Sequence, residues 1–318
     1  MTCDTHSGDS QPLIESQRQW TGKTRGGWLG NWIFLTLLRL CGLRAAYGLL
    51  VPVSFYYLFT APKACRASAE YMRRLEATSF STVSRLLRTW RHFFTFGQVL
   101  LDRVAIIAGP ASQFTFEFDG RQHLEDALAA GKGLVLVTAH VGNWEAAGHA
   151  LASLDVPVNV VAYEGEIGRI KQLFDGAMAT RRFRLIPVRE SLDTGLEIAS
   201  ALRNGEIVAM HADRAMGSRF VREFFLDEPA AFPAGPFYTA AACGAPVVTA
   251  FVTREGTLRY KFLAYGADWI GGQNRAELDR VVNDCVRRFI GRLEEVLKAH
   301  PAQWFNFYDF WGESVAGK

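Results

Sequence analysis

Hydrophobic positions change their rhythm twice along this chain. From residue 28 to 60 they are nearly continuous, interrupted by Arg39 and Arg44 and broken again at Pro52. The uninterrupted pieces are 26–38 and 45–62, the second 18 residues long, at the lower edge of what crosses a hydrocarbon core. One tilted span or a helix embedded in a single leaflet fits this stretch, as does a hydrophobic helix pair packed on a folded domain. Over 64–103, Tyr71, Leu75, Val83, Leu86, Leu87, Trp90, Phe93 and Phe94 recur at spacings of three, four and seven, with arginines between them. That period predicts a basic amphipathic helix, which lies on a bilayer or braces the domain that follows.

After Gly109-Pro110 the rhythm becomes short apolar runs alternating with amphipathic stretches. Strands are expected at 114–118, 133–139, 156–163, 184–188, 207–210, 220–226, 247–253 and 257–265. Helices are expected at 121–130, 144–151, 166–182, 191–203 (capped by Ser191) and 274–299, the last stopped by Pro301. The alternation implies right-handed crossovers, and hence an α/β fold with a mostly parallel sheet flanked by helices. The chain therefore divides into a disordered polar and basic start (1–27), a membrane-associated hydrophobic segment (28–62) and an α/β domain (63–318) opening on the basic helix. The aromatic tail 303–311, Q-W-F-N-F-Y-D-F-W, packs across the domain or lines a lipid groove.

Composition narrows the class. With 318 residues, 49% of them hydrophobic, the chain can bury a large core and is not disordered as a whole. Five cysteines, Cys3, Cys41, Cys65, Cys243 and Cys285, are odd in number and scattered. This argues against a disulfide framework or zinc ribbon and fits a reducing, cytoplasm-facing location. The net charge of +3 is unevenly spread: residues 1–103 carry 13 Lys/Arg against 6 Asp/Glu, a balance of +7, which leaves −4 for the rest. Residues 1–19 are polar and do not read as a secretory signal. Trp28, Trp32, Tyr56 and Tyr57 near the ends of the apolar pieces, followed by Lys63 and Arg66, suit a membrane interface with anionic lipid. Beyond the basic helix nothing points to nucleic acid, and a monomer is expected.

The candidate chemistry centres on 133–151, G-L-V-L-V-T-A-H-V-G-N-W-E-A-A-G-H-A-L. A β-branched strand ending at His140 would be followed by a helix capped by Asn143, with Glu145 in its first turn. On one helix His140 and Glu145 would point about 140° apart, so they meet only across a strand–turn–helix junction. A histidine there can take a proton from a hydroxyl, and a carboxylate fixes its tautomer. A capped helix start beside an ordinary surface histidine is the plainer reading of the same residues. His140 and the cluster His211-Ala212-Asp213-Arg214 both fall at carboxyl ends of strands, where sites collect in parallel sheets. Two rivals remain open: a metal-dependent hydrolase using His140, Glu145 and His149, completed by His211 and Asp213, and a non-catalytic lipid-binding membrane protein.

Two ordered motifs carry a resemblance. H-V-G-N-W-E-A-A-G (140–148) is followed by D-R-A-M-G-S-R-F-V-R-E-F-F-L-D-E-P-A-A-F-P-A-G-P (213–236) and A-A-A-C-G-A-P-V-V-T-A-F (240–251). Together they resemble the lysophospholipid-acyltransferase-like superfamily, in the branch of the late lipid A acyltransferases and the mycobacterial mannoside acyltransferases. The likeness covers roughly 28–312. It implies an O-acyltransferase on the cytoplasmic face of a bacterial inner membrane, moving a fatty acyl group from acyl carrier protein or acyl-CoA to a lipid hydroxyl, with no cofactor and no metal. By position it makes His140 the general base, Glu145 its orienting or stabilising partner and Asp213 a second acidic partner. Asn143, Phe232, Pro233 and Gly235 are further substrate-binding candidates, and Arg169, Arg181, Arg182 and Arg214 are candidates for donor or acceptor phosphates on charge and location alone.

Phe232-Pro233-Ala234-Gly235 departs from the Phe-Pro-Glu-Gly usual in glycerol-phosphate acyltransferases, which points to a glycolipid or specialised acceptor. Segments 68–74 and 96–104 are similar to acyltransferases of aryl-polyene pigment clusters. No Gly-x-Ser-x-Gly elbow supplies a nucleophile, so the implied transfer is direct, without an acyl-enzyme.

Overall fold

Alternate residues of strand β2 (Leu134–Thr138) are buried on opposite faces. Leu134 and Leu136 enter one apolar cluster, Val135 and Val137 the other. A strand covered on both sides is what a parallel sheet between two helical layers requires. The computed structural model describes residues 27–77, 81–108, 113–163, 183–188, 192–214 and 219–312. The side chains of Glu145 and His149 lie outside the described residues, as do the expected helix 166–182 with Arg169, Arg181 and Arg182, the expected cap Ser191 and the side chains of Trp28 and Trp32.

The strands β1 (Thr115–Asp119), β2, β3 (Val158–Tyr163), β4 (Phe183–Val188), β5 (Ile207–His211), β8 (Val247–Gly256) and β9 (Arg259–Ala264) form one sheet in the order β1-β9-β8-β2-β5-β3-β4. Every neighbouring pair is parallel except β8 with β9, a hairpin. The fold class is therefore the expected α/β one. A separate hairpin, β6 (Phe220–Phe225) with β7 (Glu228–Pro233), was expected only as a single strand. Its second strand, E-P-A-A-F-P, has prolines at both ends that mask the strand pattern.

The N-terminal helices depart from expectation in three places. Helix α1 (Gly27–Thr60) passes through Pro52 unbroken and is interrupted at Gly42, whose φ of 79° only glycine adopts readily. The single basic helix expected over 64–103 is two, α2 (Pro62–Leu75) and α3 (Thr82–Ala108). Among the described residues no single helix is long and apolar enough to cross a bilayer, and the Leu40–Thr60 part of α1 meets α2 at 98°. Phe55 of α1 stacks on Trp90 of α3 with centroids 4.8 Å apart, and Trp90 Nε1 donates to Ser54 Oγ at 2.8 Å.

Helix α4 (Arg121–Ala129) precedes β2. After β2 come a 3₁₀ turn (Trp144–Ala146), a short α5 (Ala147–Leu151) and a second 3₁₀ turn, in place of one continuous helix. Helices α6 (Asp193–Arg203), α7 (Gly235–Cys243) and α8 (Arg275–Ala299) follow; α8 is capped by Asn274, whose side chain accepts from Glu277 N. The core fills both sheet faces. On one, Val282, Val286, Phe289 and Leu293 of α8 meet Val135, Val137 and Phe251; on the other, Leu43, Ala46 and Leu50 of α1 join Leu134 and Leu136.

Beneath the second cluster lies a buried polar knot. Asp102 of α3 accepts from Arg254 Nε of β8 at 3.0 Å and from the hydroxyls of Tyr47 (α1) and Tyr260 (β9). Asp102 is sealed from solvent, and three phenol and guanidinium donors satisfy it. Gln303 extends the knot, accepting from Arg254 N and donating to Arg254 O, both at 2.8 Å.

Candidate active site

β2 ends at Thr138, two residues before the expected end, and the backbone turns sharply through His140, with Val141 N donating to Ala139 O at 2.7 Å. Two residues on, Gly142 has φ 55°, and a Cβ there would stand 2.0 Å from Val252 O. The turn passes so close to β8 that only glycine fits. Asn143 N donates to Val252 O at 3.0 Å, and Asn143 Oδ1 accepts from Ala146 N at 3.3 Å. Asn143 thus caps the helical turn as expected, although that turn is 3₁₀.

The aromatic tail seals the other side. Gly142 N donates to Gln303 O and Phe305 N to His140 O, each at 2.9 Å, so 303–305 runs antiparallel to the His140 turn like an added strand. Trp304 is fully buried, in contact with Tyr71, Phe225, Phe310 and Trp311. Of the two expectations for the tail, packing across the domain is the one realised. Trp304 O also accepts from the buried His92 Nε2 at 2.8 Å. The Nδ1 of His92 therefore accepts from Ser68 Oγ, at 2.9 Å. Burial pushes this imidazole down to about 4, against a smaller opposing effect of the Trp304 carbonyl, and keeps it neutral.

At the end of β5, paired beside β2, the chain delivers Asp213 to His140. His140 Nδ1 and Asp213 Oδ1 are 2.8 Å apart. Asp213 Oδ2 accepts from His140 N at 2.9 Å, Trp304 Nε1 at 2.9 Å and Asn306 Nδ2 at 3.2 Å. Burial pushes the Asp213 carboxyl up, but the His140 ring, its hydrogen bond, Arg214 and His211 outweigh that and hold it well below the usual carboxylate range. An ionised carboxylate only accepts, so the Nδ1 of neutral His140 carries the proton and Nε2 carries the lone pair. The Asp213 side chain is sealed from solvent, whereas that of His140 stays 17% exposed. The pair can thus take a proton from outside on Nε2 while the carboxylate balances the charge that forms.

Sequence reasoning placed His211 in the cluster with Asp213 but not against His140, and it missed Trp144, Trp304 and Asn306 as neighbours of the site. His211 stacks on His140, with centroids 4.2 Å apart and planes at 24°, and Trp144 meets it edge-on at 5.1 Å. Trp304 and Asn306 hold Asp213 from the tail. The position of His211 at the carboxyl end of a strand flagged it, but nothing local could have flagged the tail residues, 91 and 93 positions away.

The structure brings His140, Asn143, Asp213 and Arg214 together. Arg214 Nε donates to Asn306 Oδ1 at 2.9 Å, placing the guanidinium one side chain from the carboxylate. Phe232 is instead fully buried against Phe225, Phe289 and Phe310, Pro233 ends β7, and Gly235 begins α7. Among the described residues these three share no hydrogen bond or ring contact with His140. The expected approach of Glu145 to His140 rests on a side chain outside the described residues, as does the ligand set with His149.

Known proteins share this chain's pattern. It is 28% identical over 225 residues to the phosphatidylinositol mannoside acyltransferase of Mycobacterium tuberculosis strain H37Rv, covering 70% of this chain and 67% of that one. It is 28% identical over 202 residues to the protein of the same name in strain CDC 1551, covering 63% and 61% of the two chains. With the Mycolicibacterium smegmatis protein it shares 26% over 193 residues, 59% and 60% of the respective lengths. The family described as bacterial lipid A biosynthesis acyltransferase matches residues 26–312, taking in the His140 turn, Asp213 and the tail together, and the chain belongs to that acyltransferase family.

Proposed function

We propose that this protein is a membrane-associated O-acyltransferase that moves a fatty acyl group from an acyl carrier protein or acyl-CoA thioester to a hydroxyl of a glycolipid, with His140 as the base. The observation that carries the reading is the 2.8 Å contact of His140 Nδ1 with the buried, ionised Asp213, which leaves Nε2 as the proton acceptor. In the reaction, Nε2 takes the acceptor's O–H proton as the oxygen attacks the thioester carbonyl. The tetrahedral intermediate collapses with cleavage of the C–S bond, and His140 returns the proton to the departing thiolate. No acyl-enzyme and no cofactor enter the scheme. Glu145 is the candidate to orient His140 or stabilise the site, and Arg214, Arg169 and Arg181 are the candidates to meet donor or acceptor phosphates.

Membrane attachment is supported by one surface. Val51, Phe55, Tyr56 and Phe59 of α1 and Val83, Leu86 and Leu87 of α3 are exposed on two helices joined by the Phe55–Trp90 stack, with Lys63, Arg66, Arg85 and Arg91 exposed nearby. Apolar side chains ringed by cations suit shallow insertion into one anionic leaflet. The cytoplasmic face of an inner membrane is the location that also supplies the thioester donors.

The test uses purified full-length protein with palmitoyl-CoA or palmitoyl-acyl carrier protein and phosphatidylinositol mannoside in mixed micelles, reading thiol release and the acylated lipid. His140→Ala is expected to lower transfer by at least about 100-fold with its thermal transition unchanged. Transfer at the wild-type rate in that variant would remove the base assignment.

A further inference from the structure

Outside the His140–Asp213 pair, one ring has a placement that the scheme above does not use. His211 is the last residue of β5, held beside Thr138 of β2 by the sheet register. Its plane lies 24° from that of His140 at 4.2 Å, and the Trp144 ring, at 87° to it, meets it from the turn. Two elements fixed by backbone pairing thus bring two imidazoles face to face, and a third ring limits the movement of the second. His211 Nε2 is sealed from solvent and has no hydrogen-bond partner among the described residues.

We propose that His211 is a positioning residue for His140: its ring face backs the base and stabilises the imidazolium formed when His140 takes the acceptor's proton. The inference rests on the reading of His140 as the base and adds what steadies its charged form. A neutral aromatic face within about 6 Å of a cation attracts it, and the attraction grows where water is excluded. A charged ring at 211 would instead repel the imidazolium. Burial first, then the neighbouring His140, push the His211 imidazole well below its ordinary range, against the opposing pull of Asp213 and with Arg214 adding to the depression. Among the described residues, Asp213 and Arg214 are the charged side chains, besides His140 itself, that act on the His211 ring. The first balances a proton on His140, and the second is tied to Asn306.

The variants His211→Phe and His211→Leu separate a ring face from mere filling of space, and His211→Ala removes both. The measurement is a pH titration of the full chain, labelled with ¹⁵N-histidine in detergent micelles, with the His140 ring signals identified as those lost in His140→Asn. The His140 midpoint is expected to move to lower pH by about half a unit or more in His211→Leu and to stay near wild type in His211→Phe. In parallel, kcat for palmitoyl transfer from palmitoyl-CoA to phosphatidylinositol mannoside should fall about 2- to 30-fold in His211→Leu with KM for the thioester unchanged. Phenylalanine should restore it. Equal midpoints in the Leu, Phe and wild-type chains would overturn the inference, as would a Phe variant that behaves like Leu. Full turnover by His140→Asn would instead remove the base reading, and the titration would still decide the stacking.

Discussion

Four hydrogen bonds converge on the Asp213 carboxylate, from one ring nitrogen, one backbone amide, one indole and one carboxamide. A buried carboxylate so fully satisfied stays ionised and fixes the histidine tautomer in a single geometry. Asp213→Asn keeps the shape but can turn an NH₂ toward Nδ1, which would favour the tautomer with the proton on Nε2. Transfer is expected to fall by about 10²- to 10⁴-fold in steady-state assays while KM for the thioester changes little. His92 gives a second residue-scale prediction, on stability. Its pKa is about 4 in the fold against an ordinary value of 6.5, so between these values the unfolded chain binds more protons and stability rises with pH. Acidification through that window should cost on the order of 3 kcal/mol from this residue alone. Chemical denaturation of the wild type and His92→Gln between pH 7 and 4 measures it: the wild type is expected to lose the larger share, and parallel curves would contradict the assignment. The lowered Asp213 acts in a separate window, its stabilisation being lost only as pH falls below 3.8.

At the scale of elements, α1 and α3 together present the face of the proposed lipid contact, and each contributes apolar side chains that the core does not cover. The double variant Phe55→Ser/Phe59→Ser is expected to reduce flotation with vesicles containing phosphatidylglycerol by at least about 10-fold, and Lys63→Glu/Arg66→Glu to make binding less sensitive to anionic lipid. Undiminished flotation in both would place the contact elsewhere. Elements were legible in the sequence where the local rhythm decides them. The strands around His140 and Asp213, the long helix α8 before Pro301 and the α/β class all follow from periodicity and breakers. Where tertiary packing decides, local pattern misled. Pro52 passes inside a helix that packs on α3, the break falls at Gly42, and β7 is hidden by the prolines at its ends. The turn after β2 is 3₁₀ because Asn143 N is drawn to Val252 O of a neighbouring strand, which no local spacing encodes.

Across the whole molecule, one chain of contacts joins the N-terminal helices to the His140 turn. Tyr47 of α1 reaches Asp102 of α3, which holds Arg254 of β8; Arg254 pairs with Gln303, and Gln303 O takes the Gly142 amide. The N-terminal helices are therefore a wall of the α/β domain, and the proposed lipid contact would lie on that wall. The site was half legible in the sequence. His140 and Asp213 could be named from two ordered motifs, but the stacked His211 and the tail residues that hold the carboxylate come together only through the fold. The most direct test of the account is mass-spectrometric lipid profiling of a strain lacking this gene, complemented with the wild-type chain or with His140→Ala. The deletion and His140→Ala strains are expected to accumulate a lipid lighter by one fatty acyl group, and the wild-type chain to restore the heavier one. Identical lipid profiles in all three strains, or restoration by His140→Ala, would contradict it.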